Sequence, residues 1–241
     1  MKTKNLTLAG LFALLLFTTS CMHPFGNCIH GSGTSVEEQR SVGNFTKITS
    51  EGSFNVFIAS GNECDVVVEA PKNILDYIKT SVSNNELVID TKRGRCIDSD
   101  DNVNIYVTVK TLEKLTLSGS GNISTDSIST TNITLNISGS GSINSELYSN
   151  YIEATVSGSG DMKLSGQNNE SEMKITGSGK INAYDMPQNK VFATITGSGD
   201  IYLNVGTFLD VKITGSGDVY YIGSPQVTTH ISGSGNVVSS K

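Results

Sequence analysis

The sequence predicts an all-β fold, a right-handed parallel β-helix of the β-solenoid kind, and three observations predict it. First, one frame recurs seven times: apolar, polar, apolar, Ser/Thr, Gly, Ser, Gly, polar, apolar. The copies run from Leu115 to Ile123, Leu135 to Ile143, Ala154 to Met162, Met173 to Ile181, Ala193 to Ile201, Val211 to Val219 and Thr229 to Val237, with successive spacings of 20, 19, 19, 20, 18 and 18 residues. Second, the residue before the Ser/Thr is aliphatic in every copy (Leu117, Ile137, Val156, Ile175, Ile195, Ile213, Ile231) and the one before it is polar in every copy (Thr116, Asn136, Thr155, Lys174, Thr194, Lys212, His230). That is the period-two alternation of a strand with one buried face. Third, the position after Gly-Ser-Gly is apolar again: Ile123, Ile143, Met162, Ile181, Ile201, Val219 and Val237.

Each repeat therefore reads as strand, Gly-Ser-Gly corner, strand and a variable polar turn such as Gly166-Gln167-Asn168-Asn169. A unit this short cannot bury its own apolar row, but stacked units can. One coil per repeat places each strand parallel to its equivalent, about 4.8 Å away. Parallel crossovers are right-handed in nearly all cases. Burying a side chain such as Ile175 or Ile195 contributes about 1.5 to 3 kcal/mol. Glycines at the corner allow close backbone approach. The middle serines, Ser120, Ser140, Ser159, Ser178, Ser198, Ser216 and Ser234, form a corner ladder whose hydroxyls are able to bond one another or freed backbone groups.

Ahead of the repeats, residues 42–111 read as irregular initial coils that cap the solenoid, with residues 112–241 as the seven-repeat body. Strand patterns begin at Phe45-Thr46-Lys47-Ile48, and Asn84-Asn85 marks a hairpin turn. A separate N-terminal domain is the alternative. At the other end the last repeat leaves an open parallel edge, which invites pairing. A homo-oligomer through that C-terminal edge is the expectation, and light scattering checks it.

The first 20 residues have the order of a cleaved export signal. Lys2 and Lys4 precede an apolar run from Leu6 to Phe17, then Thr18-Thr19-Ser20-Cys21. The run is too short to span a bilayer. The segment resembles a bacterial lipoprotein signal with a relaxed lipobox, in which Thr18 stands where Leu is usual. Cys21 is then the acylated residue, with residues 21–41 as a flexible tether and outer-membrane lipid as a partner. Ordinary cleavage near Ser20 is the alternative. Three cysteines remain in an oxidising compartment: Cys28, Cys64 and Cys96. Cys64 and Cys96 flank one structural region and are the candidate disulfide, leaving Cys28 in the tether.

Composition excludes several functions. A net charge of −6 argues against nucleic acid, which selects basic faces. The scattered His23, His30 and His230, with no Cys-x-x-Cys, argue against zinc, and no metal or other cofactor is expected. Asp161, Asp200 and Asp218 share one repeat position, but Asn122, Ser142, Lys180 and Asn236 occupy it elsewhere, so it reads as a tolerant surface position. The acidic run Asp98-Ser99-Asp100-Asp101-Asn102 lacks EF-hand spacing and reads as a solvated loop. Only three Arg and no Trp are present, and the repeat serines have no His base beside them. No catalytic residue is assigned, and the chain is not expected to be an enzyme. A degenerate polysaccharide-active β-helix is the enzymatic alternative. Tyr202 and Tyr220 fall at one outward position of adjacent coils. Stacked there, they form a candidate binding face for a glycan or a protein. The competing reading is a cross-coil pair that merely stabilises the sheet by about 0.2 to 1 kcal/mol.

The tract Phe45-Thr46-Lys47-Ile48, the strands around Asn84-Asn85 and the serial Ser/Thr-Gly-Ser-Gly repeats resemble the head GIN domain family of autotransporter adhesins, common in Bacteroides-type bacteria. The resemblance covers roughly residues 40–241. It implies a pectin-lyase-like β-helix without known catalytic residues and a role in adhesion, with no binding residues to carry over. The lipoprotein-like signal, for its part, reads as export and lipid anchoring to the outer membrane. Surface lipoproteins of such bacteria often carry acidic residues after the acylated Cys. Met22-His23-Pro24-Phe25 departs from that pattern, which leaves a periplasm-facing structural or sensory module, binding a protein partner, as the alternative to a cell-surface adhesin.

Overall fold

The computed structural model describes residues 28–93, 95–97 and 103–240. Its strands join in one 17-stranded sheet that winds as a β-solenoid of about 7 turns with roughly 19-residue spacing. The regular body begins with β8 (Lys114–Gly119), β9 (Asn122–Ser129) and β10 (Asn132–Gly139). It continues through the long strands β11 (Ser142–Gly158), β12 (Asp161–Gly177), β13 (Lys180–Gly197) and β14 (Asp200–Gly215). It ends with β15 (Val219–Ile222), β16 (Gln226–Gly233) and β17 (Val237–Ser239).

Pairing is parallel and in step with the repeat. Leu117, Ile137, Val156, Ile175, Ile195, Ile213 and Ile231 are register partners in turn. So are Ile123, Ile143, Met162, Ile181, Ile201, Val219 and Val237. These two apolar columns line the interior, nearly every member at 0 to 1% exposure, and the exceptions lie in the last coil. Ile231 there is 44% exposed, whereas its partner Ile213 one coil earlier is 0% exposed.

The corners explain the glycines. Gly177 has φ +126°, and a Cβ on it would lie 2.3 Å from the carbonyl oxygen of Gly158 in the preceding coil. Two successive amides, Ser178 N (2.9 Å) and Gly179 N (3.1 Å), donate to that same oxygen. The pattern recurs along the corner, so backbone amides do the stitching. The seven middle serines stack on this edge with exposed side chains.

The N-terminal region adds coils in a different order. β2 (Lys47–Gly52) and β3 (Asn55–Ser60) lie parallel on β8 and β9. On their other side lie β6 (Glu86–Thr91) and β7 (Asn104–Val109), again parallel. Beyond these the direction reverses. β5 (Ile78–Ser83) is antiparallel to β6, through a turn in which Asn84 and Asn85 take φ 51° and 61°. β4 (Asp65–Pro71) is antiparallel to β7, and β1 (Ser35–Arg40) is antiparallel to β4. A four-residue helix, α1 (Lys72–Leu75), joins β4 to β5. No described helix is long and apolar enough to cross a membrane.

Two expectations are corrected here. Residues 35–40, expected within a flexible tether, form β1. Its side chains are mostly exposed, so no apolar alternation announces it; the edge of β4 recruits it through backbone hydrogen bonds. Upstream, Ser32 N donates to Asn73 Oδ1 (2.7 Å), and Asn73 Nδ2 donates to the His30 carbonyl (2.7 Å). The expected Cys64–Cys96 disulfide is also wrong. Cys96 bonds Cys28, 68 residues away in sequence. Ile29 lies parallel to Ile97 and donates its amide to the Cys96 carbonyl (2.8 Å), which brings Cys28 alongside. Cys64 stays a free thiol, packed near Phe45 at the start of β4. Cys21, the signal segment 1–20 and the acidic run 98–102 lie outside the described residues.

Candidate functional site

Tyr202 follows Ile201 on β14, and Tyr220 follows Val219 on β15. Alternation turns the aliphatic residues inward and both phenols outward. In-register pairing sets the rings side by side, with centroids 5.0 Å apart and planes within 10°. Such a separation exceeds the about 3.5 to 4.0 Å of carbon–carbon contact, so the rings are slipped relative to one another. Tyr184 meets Tyr202 edge-on at 5.4 Å and 76°, and its hydroxyl donates to Ser240 Oγ (3.1 Å). The Lys180 ammonium sits 5.7 Å from the Tyr202 ring centre, within cation–π range.

The adjacent outward column supplies the carboxylates. Tyr220 donates its hydroxyl to Asp218 Oδ2 (3.1 Å). Asp218 Oδ1 accepts from the Asn236 backbone (2.7 Å) and side-chain amides (3.1 Å). Asp200 Oδ1 accepts from the Asp218 amide (3.1 Å). The hydrogen bond to Asp218 holds the Tyr220 phenol above its ordinary pKa. Partial burial, then the charge of Asp200, does the same at Tyr202. Both phenols thus remain neutral donors. Asp200 and Asp218 orient tyrosines here, while Asp161, in the same column, is exposed.

Followed across the whole sheet, the tyrosine column is longer than the repeats. Its register partners are Tyr106, Phe57, Ser124, Asn144, Lys163, Asn182, Tyr202, Tyr220 and Val238. At its N-terminal end Phe57 and Tyr106 stack at 5.3 Å and 19°, each 41% exposed. Tyr106 donates its hydroxyl to Glu69 Oε2 (3.0 Å), which raises its pKa. Phe57, Tyr106 and Tyr184 escape the sequence reading. The first two lie outside the repeat frame and 49 residues apart, and only the outward phase of each strand marks them. Tyr184 sits where β13 slips register between Ala183 and Pro187.

Elsewhere the outer surface carries structural ladders. Ser142, Asn122, Asn55, Asn104 and Glu69 form a chain of side-chain hydrogen bonds from coil to coil. Asn168 bonds Ser149 and Gln188 in the same manner, within β12, where the polar turn expected at Gly166-Gln167-Asn168-Asn169 continues as strand. A concavity of about 720 Å³ lined by Thr111, Glu113, Thr131 and Tyr151 shares no residue with the tyrosine column. Among the described residues no group of three His, Cys, Asp or Glu side chains is placed to hold a metal ion.

Solved structures share this architecture. A putative adhesin from Bacteroides fragilis matches with a TM-score of 0.83 at 24% identity, covering 88% of this chain and 99% of that one. A putative lipid binding protein from Parabacteroides distasonis gives 0.72 at 24% identity over 88% and 99% of the two chains. A putative adhesin from Parabacteroides merdae gives 0.72 at 22% identity over 90% and 100%. At these identities the likeness is one of fold. No curated protein matches. The family model described as "Putative auto-transporter adhesin, head GIN domain" matches residues 44–225, most of the chain, and the protein therefore belongs to that family.

Proposed function

We propose that this protein is a non-catalytic adhesion module of the bacterial cell envelope. In this reading acylated Cys21 holds it to the outer membrane, and the face bearing Tyr202 and Tyr220 takes a glycan or protein. One observation carries the reading. The repeat interior is filled by aliphatic side chains, while the outer sheet carries an ordered, partly exposed aromatic pair fixed by carboxylates. That combination supports a surface that binds, because rigid aromatic platforms with polar neighbours are the common currency of recognition. The relative described as a lipid binding protein does not redirect it, since the packed interior here favours a ligand on the outer surface.

The test has two arms. A tag placed in residues 22–27 is followed during protease treatment of intact cells, with a periplasmic protein as control. Digestion with an intact control supports display outside; protection of the tag favours a periplasm-facing module. In the second arm, Tyr202→Ala and Tyr220→Ala are expected to reduce cell adhesion without changing thermal stability by more than about 1 kcal/mol. Unchanged adhesion in both variants would sink the assignment of this face.

A further inference from the structure

We propose that the ligand of this face is a single extended, uncharged glycan chain that lies along the solenoid axis and is gripped at two separate aromatic stations; this rests on the adhesion reading above. The stations are Phe57 with Tyr106 and Tyr202 with Tyr220, stacked pairs in one continuous register column. Five inter-strand steps separate Phe57 from Tyr202, about 24 Å at about 4.8 Å per step. Between them the column is polar, with Asn144 and Lys163 exposed, so no aromatic or aliphatic side chain stands on the track, and its one long side chain is the flexible Lys163.

The two stations are built alike. In each, a slipped aromatic stack has a tyrosine hydroxyl donating to a carboxylate from the adjacent outward column: Glu69 at one end, Asp218 at the other. A pyranose fits that pair of features. Its C–H patch packs on the outward, exposed flank of a stacked pair, and its hydroxyls donate to carboxylate oxygens, which accept at about four lone-pair sites. The carboxylates also set the charge. Along the two columns Glu69, Asp161, Asp200 and Asp218 outnumber Lys163 and Lys180, so the track is net negative, disfavours a polyanionic chain and accepts an uncharged one. Spacing sets the polymer. An extended β-linked pyranose chain advances by close to one inter-strand step per ring. Same-face residues of an extended peptide recur about every 6.6 Å and fall out of step with the column. Two stations on one chain give avidity that neither has alone.

The experiment titrates the full chain with cello-oligosaccharides of two and six units and with poly-N-acetyllactosamine, using polygalacturonate as the anionic control. Long chains are expected to bind at least about tenfold tighter than the two-unit sugar. Phe57→Ala and Tyr202→Ala should each remove that length advantage, and polygalacturonate should not compete. Phe57→Leu keeps apolar volume and lacks the ring; it should behave as Phe57→Ala, which separates ring loss from misfolding. Preference for one long glycan over the other tells a bacterial-type from a host-type source. Equal binding of long and short sugars, an unaltered length advantage in the Phe57 variants, or no binding by either neutral glycan overturns the proposal. Cells whose adhesion depends on Tyr202 and Tyr220 but not Phe57 would keep the adhesion reading and remove the spanning chain. Cells that do not adhere at all would remove the reading itself.

Discussion

The N-terminal coils and the repeat body bury the same kind of aliphatic row, yet they are built by different means. In the body every strand stacks parallel on the equivalent strand of the next coil, and the same kind of backbone corner recurs. In the N-terminal region β2 and β3 are inserted between β6–β7 and β8–β9, and three strand pairings are antiparallel. The difference teaches what each region needs. Repetition makes one solution serve many coils but leaves the row open wherever it stops. Irregularity lets strands of opposite direction close the N-terminal edge, where Ile74, Leu75 and Ile78 are buried at 5% exposure or less. The last coil, by contrast, leaves Ile231 open.

Glycines give the sharpest test of that contrast. A Cβ on Gly179 would meet the Gly160 oxygen at 2.3 Å and Val156 Cγ1 at 2.6 Å. Gly179→Val is expected to cost at least about 4 kcal/mol in urea unfolding. Gly43, ahead of β2, has no neighbour within 4 Å and no positive φ. Gly43→Ala should instead stabilise by about 0.5 kcal/mol, through a less flexible unfolded chain. Equal effects at both sites would show that corner stacking is not what fixes the repeat.

Aliphatic truncation sharpens the second half of the comparison. Ile213→Ala, in a covered coil, should cost about 3 kcal/mol, whereas Ile231→Ala one coil on should cost under about 1 kcal/mol. A large loss at Ile231 would reveal a partner over that end. The smallest effect concerns an imperfection in the body. Ser171 sits at 0% exposure between the register partners Ile152 and Val191, and its hydroxyl has no hydrogen-bond partner. Ser171→Ala removes the orphan without adding volume and should raise the unfolding free energy by about 1 kcal/mol. A loss of stability there would mean the hydroxyl is satisfied in solution.

What was legible in the sequence follows the same division. The repeat columns were readable because alternation and Gly-Ser-Gly recur in phase, so Leu117 to Ile213 declare one buried row. Tyr202 and Tyr220 were readable as neighbours for the same reason. The cap pairing was not, because β2 finds β6 and β8 at distances no local pattern encodes. The cysteine pairing failed with it, since Cys28 reaches Cys96 only through a short parallel bridge at Ile29. Phe57 and Tyr106 stayed hidden as a pair because their meeting depends on that same nonlocal order. Tyr184 was hidden by a register slip that breaks the repeat count.

The Cys28–Cys96 bond also sets how the fold answers to tension. A pull on the chain before residue 28 does not travel through β1, β4 and the β5–β6 hairpin in sequence. It crosses the disulfide to Cys96 and arrives near β7, so the 68-residue loop between the two cysteines is shielded from the force. The antiparallel strands that close the N-terminal edge cannot be peeled away one by one by traction from that side. Traction from that side therefore loads β7, which is paired on its two flanks with β3 and β4 and resists by shearing many hydrogen bonds together.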